Sequence, residues 1–584
     1  MEDTLPTSRH SPRSHSHPSN TEAPAPEIFD MDEPNDLIPL GLDIGSLHAR
    51  VAIGQSTSSS PDIVSNAQGS RYTLALVGTD EGNAEDNATS GQTRYIFGET
   101  ARRALARNNP ATDASSTVRQ LARSAAAKDD GAADKAAAGA AFVTHLMNLS
   151  CDASAAHPSK LRTVASVSVD SDLDERHGIV SILERGMDDA LAARQSAKER
   201  KASKKNGSNG EDPSFMAIIA DPVAVCIAHG LLENEPGIVD LSATKCETTR
   251  PWKNALVVDW GASGLTATHI CRTSTNSSML KIIRYVTDDT CSGMAITSTL
   301  AKHCATTFER KNRVSGLLDS KKACFKLNMA CESAVRTLSR APSVTVAVDG
   351  LFEGIDMSVP ISRPRFDMLM SGILRKAETL LQTFTTSEKV DFDVVLLCGN
   401  VCDMPSCVNL IRKKLFPAAN AGRGDIPPDE AVAIGCARHA ASILSCNIRS
   451  KNNGQDADKI NLPSISRSAK MCPLTIGICR VENEKENGDL EEIITNNAVA
   501  LIETGDPLPV NVTRSITCTD GEESWLSNSS VFITQMRGGA VTKSKVIGKV
   551  EGIPPEDKSF EITMELSSDG KLALSINGGK LVTL

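Results

Sequence analysis

At 584 residues the chain is too long to be built around one hydrophobic core, so two or more domains are expected. Hydrophobic residues make up 40% and charged residues 23%, the mix of an ordinary globular protein. Aromatic residues, at 3%, are too few for base-stacking platforms, and a net charge of −10 excludes a whole-chain nucleic-acid binder while leaving room for a local basic patch.

Residues 1–36 are rich in Ser, Pro, His and acids and read as a disordered tail, with His10, His15 and His17 as solvated residues rather than metal ligands. The stretch from Gly41 to Gly54, GLDIGSLHARVAIG, alternates apolar residues on both sides of a short break: Ile38, Leu40, Leu42 and Ile44, then Ala49, Val51 and Ile53. A period of two on either side of a tight connection predicts an antiparallel hairpin. Asp43 stands just before the turn, where a carboxylate can hold a magnesium ion through water, and Gly45 and Ser46 can offer amides and a hydroxyl to a phosphate.

Further along, 62–71 reads as a strand and a turn, and YIFGETARRALARNNP as a strand running into a helix that stops before Pro110. The alanine-rich stretch 132–149 predicts a helix, 163–169 a strand, and 179–193 an amphipathic helix. That helix leads into a basic segment at 194–205, with Arg194, Lys198, Arg200, Lys201, Lys204 and Lys205 against the single acid Glu199. Such a run reads either as a solvated loop or as a contact for RNA or an acidic partner. A buried strand then meets Asp221-Pro222, where a helix starts at once.

Residues 255–270, ALVVDWGASGLTATHI, repeat the first hairpin: an apolar strand, Asp259, Gly261, small residues to Gly264, and a returning strand. Two Asp-Gly hairpins imply a duplicated domain whose halves face each other across one phosphate-binding cleft. Residues 314–338 read as helical with a break near Ser320, and 344–359 as a hairpin turning at Asp349-Gly350. An apolar strand, 394–398, ends at Gly399, and a helix with a small-residue face follows Pro428. Alternating strands and helices make this span, 37–446, an α/β domain.

Composition changes at Asn447, and 447–470 reads as a linker. Beyond it, alternation such as Phe560, Ile562, Met564, Leu566 and then Leu572, Leu574, Ile576 predicts a β-sandwich over 471–584. Sixteen cysteines show no metal-ligand spacing, even where Cys398, Cys402 and Cys407 come close together, and read as buried reduced thiols. No apolar run approaches the roughly 20 residues of a membrane span, and the N-terminus lacks the apolar core of a signal peptide, so a cytoplasmic protein is expected.

The pair of hairpins resembles the actin, sugar-kinase and heat-shock ATPase superfamily. ACESAVRTLS (330–339), LFEGIDMSVPISRPRFDML (351–369), IPPDEAVAIGCA (426–437), NAQGSR (66–71) and GIPP (552–555) are similar to the heat shock protein 70 family. The resemblance implies an actin-like two-lobed ATPase fold followed by a β-type peptide-binding domain, with ATP or ADP and Mg²⁺ in the cleft. It implies Asp43 and Asp259 on the metal side. Around the nucleotide it implies Gly45, Ser46, Asp221, Gly261, Gly264, Glu332, Arg336, Ser339, Gly399 and Asp429.

Several positions depart from the family pattern. One of two threonines after Gly45 is Leu47, the catalytic lysine falls on Val118, and the second hairpin's second aspartate is Thr266. A glutamate is shortened to Asp221, a lysine near the adenosine becomes Val335, the glycine after Gly399 becomes Asn400, and the arginine expected to stack on adenine becomes Asp403. The family's acidic linker is absent, and the chain stops at Leu584 without a helical lid. These departures imply weak ATP binding without efficient hydrolysis, so no catalytic residue is assigned. The pattern is similar to the lidless subgroup that pairs with a ribosome-bound J-domain partner and helps another chaperone with nascent chains. The alternative is a divergent ATP-hydrolysing chaperone that binds unfolded polypeptides itself. A small-molecule kinase on this fold has no use for the C-terminal sandwich.

Overall fold

The computed structural model describes residues 37–54, 61–79, 94–107, 116–126, 131–171, 173–194, 215–231, 252–272, 280–386 and 390–452, and beyond these eight strands between 475 and 583. The tail at 1–36, most of the basic segment, residues 453–470 of the expected linker, GIPP and the Asp569-Gly570 turn lie outside the described residues.

Two sheets of matching topology form the two lobes. In the first, β1 (Ile38–Ile44) pairs antiparallel with β2 (His48–Ile53) and parallel with β3 (Leu161–Val167), which pairs with β4 (Phe215–Ala220). In the second, β5 (Asn254–Trp260) pairs antiparallel with β6 (Leu265–Arg272) and parallel with a strand at Val394–Cys398, while β7 (Leu280–Asp288) edges β6. Each sheet thus places one hairpin beside a parallel strand, which is the duplication the sequence implied. Asp43 and Asp259 occupy corresponding positions, at the carboxyl ends of β1 and β5.

The helices follow their apolar stripes. In the first lobe α1 (Gly98–Arg107) packs on the short strand at Leu76–Thr79, while α2 (Val118–Ala126), α3 (Ala132–Ser154) and α4 (Leu173–Arg194) cover one face of the sheet. Val118, Leu121 and Ala122 of α2 are buried there with Phe142, Leu146, Ile182 and Leu183. Helix α5 (Asp221–Ala228) leaves β4 at Asp221, with Pro222 suited to a first turn that needs no N–H. In the second lobe α6 (Gly293–Asn312) and α7 (Lys321–Arg340) are capped by Ser292 and Ser320, whose hydroxyls accept from Ala295 and Ala323. The break expected near Ser320 is this cap. Strands β8 (Ser343–Phe352) and β9 (Ile355–Ser362) precede α8 (Arg363–Thr386) and β10 (Val394–Cys398).

Helix α9 (Ala431–Asn452) lies on the first lobe's sheet although it follows the second lobe in sequence. Two glycines let it approach. A Cβ on Gly41 would fall 2.1 Å from the Ala433 carbonyl, and one on Gly435 would fall 1.9 Å from the Ala224 carbonyl of α5. One continuous buried cluster joins α5 and α9 with Val164 and Ala217 of one sheet and Val257, Val394 and Leu396 of the other. These crossing helices hold the two hairpins at a common cleft.

Two local readings change. The hairpin of β8 and β9 turns at Glu353-Gly354, both at positive φ, while Asp349-Gly350 forms a bulge where the register shifts between Val348 and Phe352. Both dipeptides can turn, and the pairing of Val346 with Val359 decides between them. Helix α9 also runs six residues into the polar stretch after Cys446, since Asn447–Asn452 continue a helix already nucleated upstream.

The C-terminal region forms two four-stranded antiparallel sheets from β11 (Thr475–Glu482), β12 (Val499–Ile502), β13 (Val510–Thr517), β14 (Ser529–Met536), β15 (Ser544–Val550), β16 (Ser559–Leu566), β17 (Leu572–Ile576) and β18 (Val582–Thr583). Their orders are β12-β11-β14-β15 and β13-β16-β17-β18. Ile562, Met564, Leu566, Leu572 and Leu574 bury one face of the second sheet, as their alternation predicts.

Candidate functional site

A cleft of about 2100 Å³ lies between the lobes, above the ~300–1,000 Å³ of a closed small-molecule pocket. Asp43, Gly45, Ser46, Asp221, Asp259, Gly261, Gly264, Glu332, Arg336, Ser339, Gly399 and Asp429 all line it. Three carboxylates form its floor: Asp43 from β1, Asp221 from the first turn of α5, and Asp259 from β5. Burial pushes Asp43 up to about 6 against the attraction of Arg50 and Arg119. Burial and the neighbouring Asp43 push Asp259 up to about 7, and burial with Asp43 and Asp259 raises Asp221 well above the ordinary range. Among the described residues, no cation pairs with any of the three within 4.0 Å. Mutually repelling carboxylates draw a hard divalent cation such as Mg²⁺ to their neighbourhood, but among the described residues no group of three or more His, Cys, Asp or Glu could ligate one directly, so the residues present fit an ion held through water.

The turns above this floor are held by backbone bonds. Gly45 donates to the His48 carbonyl (2.9 Å) and Gly261 to that of Gly264 (2.9 Å). The first amides of α6 tie down the second turn: Gly293 donates to Gly261 (2.9 Å) and Met294 to Ala262 (3.0 Å). The turns meet across the cleft where Ser46 Oγ donates to Ser263 Oγ at 3.0 Å. Gly399, at φ 86°, backs the second turn so closely that a Cβ would sit 2.5 Å from the Trp260 carbonyl. Thr266, cross-strand from Asp259, shares a 3.1 Å hydrogen bond with Thr287.

The opposite end of the cleft is a charged, cross-lobe network. Glu332 of α7 accepts from Arg102 of α1 at 2.8 Å and lies 3.5 Å from Arg336 and 3.6 Å from His48. Burial acts to raise the Glu332 carboxyl, but His48, Arg102 and Arg336 together hold it below its ordinary value. Arg336 donates to His48 Nε2 (2.8 Å) and to the Tyr72 hydroxyl, and its guanidinium lies 4.3 Å from the Tyr72 ring centre. Burial drives His48 down to about 4. Asp429 is bound to the buried Arg50 at 2.7 Å, and Arg50 also reaches Asn400 at 2.7 Å. Ser339 turns its hydroxyl back to the Val335 carbonyl (3.3 Å). Asp403 sits beside this network, raised by burial and Asp429 to about 6.

One position differs from the sequence expectation. Val118 is fully buried in the first-lobe core, and the residue that lines the cleft is Arg119. Helical phase explains this: Val118, Leu121 and Ala122 form the inward stripe of α2, and Arg119 and Arg123, about 100° or more round the helix from Val118, lie at its flank. Sequence reasoning also passed over Arg50, Tyr72 and Arg102. Arg50 carries a faint signal, a cation set among buried residues of β2; the other two show none, because their partners lie on distant segments.

No helix among the described residues is long and apolar enough to cross a membrane. Residues 196–467 match the Hsp70 protein family. The chain is similar to heat shock 70 kDa protein 14 of Mus musculus, 31% identical over 42% of this chain and 44% of the mouse protein. It is similar to heat shock 70 kDa protein 14-A of Xenopus laevis, 27% identical over 51% of each chain. It also resembles a heat shock 70 kDa protein of Emericella nidulans, 26% identical over 62% of this chain and 50% of the fungal protein. The chain thus spans about half the length of the curated relatives it matches. Residues 196–467 are thus similar to an Hsp70-family domain.

Proposed function

We propose that this Hsp70-like chain is a co-chaperone that binds Mg²⁺-ATP weakly in the interlobe cleft and turns it over slowly. We propose further that it acts with a J-domain partner on nascent chains at the ribosome, in the cytoplasm. The observation that carries the nucleotide reading is the convergence of Asp43, Asp221 and Asp259 beneath two facing glycine turns.

When bound, the cation would neutralise the carboxylates and the phosphate charge together. Asp43 and Asp259 would hold it through water from the two lobes, and the turns at Gly45 and Gly261 would fix the phosphates. Asp221, in the first turn of α5, would be the carboxylate left to hold a water beside the phosphates. The helpers around it are few. Leu47 has no hydroxyl, Thr266 is bonded to Thr287 and Ser46 to Ser263, so groups that would orient a water are missing or committed elsewhere. Slow turnover follows, since catalytic groups act as a unit and losing one removes most of the effect.

Calorimetric titration with Mg²⁺-ATP, joined to a single-turnover measurement, tests the nucleotide part. Binding that is lost in Asp43→Asn, with turnover far below that of ordinary family members, is expected; absence of binding by the unaltered protein would refute it. The partner part is read by co-sedimentation with ribosomes at low salt. Replacing the cations of 194–205 with serine should weaken sedimentation without releasing the J-domain partner, because phosphate contacts of this kind are salt-sensitive and sequence-independent. Sedimentation that never occurs, even with the partner present, would refute it.

The second reading, a divergent ATP-hydrolysing chaperone, is favoured by one observation: a guanidinium, that of Arg119, does reach the phosphate turns.

A further inference from the structure

The phosphate end of the cleft contains a cation on a built mount. Arg119 Nη1 donates to Ser46 Oγ at 3.1 Å, and that hydroxyl bridges to Ser263 in the opposite lobe. Its other nitrogens are fixed from behind: Nε donates to Glu175 Oε1 at 2.5 Å and Nη2 to Ser171 Oγ at 3.0 Å. Glu175 is fully buried and is held from its other oxygen by Arg123, at 2.9 Å from Nε and 2.7 Å from Nη2.

This mount depends on an unusually close helix crossing. A Cβ on Gly178 of α4 would fall 1.8 Å from the Ala122 carbonyl of α2, so the two backbones are in direct contact. Glu175 lies three residues before Gly178, and Arg119 three residues before Ala122. One helical turn from the contact, the carboxylate and the guanidinium therefore meet. With two of its edges engaged by Glu175 and Ser171, the guanidinium loses little further rotamer freedom on meeting an anion.

We propose that Arg119 is the contact for the terminal phosphate of a nucleoside triphosphate and sets this chain's preference for tri- over diphosphate, with Glu175 as its positioning residue. The proposal rests on the nucleotide reading above and names the group that senses the third phosphate. Arg119 stands at Ser46, where both turns and both lobes meet, so a terminal phosphate there would be read from both lobes at once. Planar guanidinium donors match phosphate oxygens, and such charge-assisted bonds are about twice as strong as neutral ones. A diphosphate, which lacks that group, would leave Arg119 on Ser46. The side chain therefore discriminates rather than merely attracts.

The experiment measures Mg²⁺-ATP and Mg²⁺-ADP affinities by calorimetry on the full chain, for the unaltered protein and for Arg119→Gln, Arg119→Lys and Glu175→Gln. Arg119→Gln should weaken ATP at least tenfold and ADP less than threefold. Arg119→Lys, which keeps the charge without the planar fork, should fall between. Glu175→Gln should lower the ATP-to-ADP ratio in the same direction by a smaller factor. Retained ADP binding reports that the cleft is intact, and if the glutamine variant does not fold, the ratio in the lysine variant decides. Equal losses of ATP and ADP, or an unchanged ratio in both Arg119 variants, would overturn the inference while leaving the nucleotide reading standing. An unaltered protein that binds neither nucleotide would overturn both.

Discussion

Replacing Gly435 with alanine tests how the cleft is assembled. Alanine normally stabilises a helix by about 1 kcal/mol relative to glycine. At Gly435 the new Cβ would fall 1.9 Å from the Ala224 carbonyl, whereas ordinary carbon–oxygen approaches begin near ~3.3 Å. Helices α5 and α9 must then separate by about 1.4 Å, and no flexible side chain is there to yield. Overpacking of this kind costs about 1–3 kcal/mol, and backbone against backbone belongs at the upper end. The net effect is a loss of about 2 kcal/mol, or about 4–8 °C in melting temperature for lobes of this size. Because Asp221 opens α5, the same displacement moves one carboxylate of the cleft floor and should raise the Kd for Mg²⁺-ATP. Gly372→Ala is the matched control: it lies in the exposed part of α8, and a Cβ there meets nothing within 4 Å, so it should gain up to about 1 kcal/mol. Thermal and urea denaturation of both variants gives the answer. If Gly435→Ala melts at or above the unaltered protein while Gly372→Ala behaves as stated, the close crossing of α5 and α9 is refuted.

Asp259→Asn should stabilise the metal-free protein by about 1–3 kcal/mol at pH 8 while abolishing Mg²⁺-dependent nucleotide binding. The sign follows from its carboxyl standing at about 7: the folded state holds this proton more tightly than the unfolded chain, so stability falls as pH rises from about 4 through about 7, and the amide removes that loss. Urea midpoints at pH 5 and pH 8 check it, and an equal effect at both would contradict the carboxylate cluster. His48 acts with the opposite sign. Burial holds it near 4, so the unfolded chain binds the proton more tightly and stability is lost as pH falls from about 6.5 toward about 4, by up to about 3 kcal/mol. In His48→Gln that part of the acid sensitivity should be gone, and an unchanged pH profile would mean that His48 is not held neutral in the folded protein.

The sequence by itself determined what local periodicity can encode. Alternation around Asp43 and Asp259 specifies two hairpins, because side chains of a strand alternate between faces whatever the strand packs against. Their duplication, the start of a helix at Asp221-Pro222, and the change to β-rich sequence beyond residue 470 are equally local, and from them the two-lobed fold and the carboxylates of its cleft were legible. Helices α6 and α8 were less so, since small and polar residues blur their apolar stripes. The tertiary structure decided which groups face one another. Whether position 118 or 119 looks into the cleft depends on the rotational phase of α2, and that phase is set by packing Val118, Leu121 and Ala122 against α3 and α4. The choice of Glu353-Gly354 over Asp349-Gly350 as the turn came from strand register, not from turn chemistry. The pairs that span the cleft, Arg102 with Glu332 and Arg50 with Asp429, join residues 230 and 379 positions apart. No pattern within either segment records such a pairing, because it exists only once α5 and α9 have crossed and brought the lobes together.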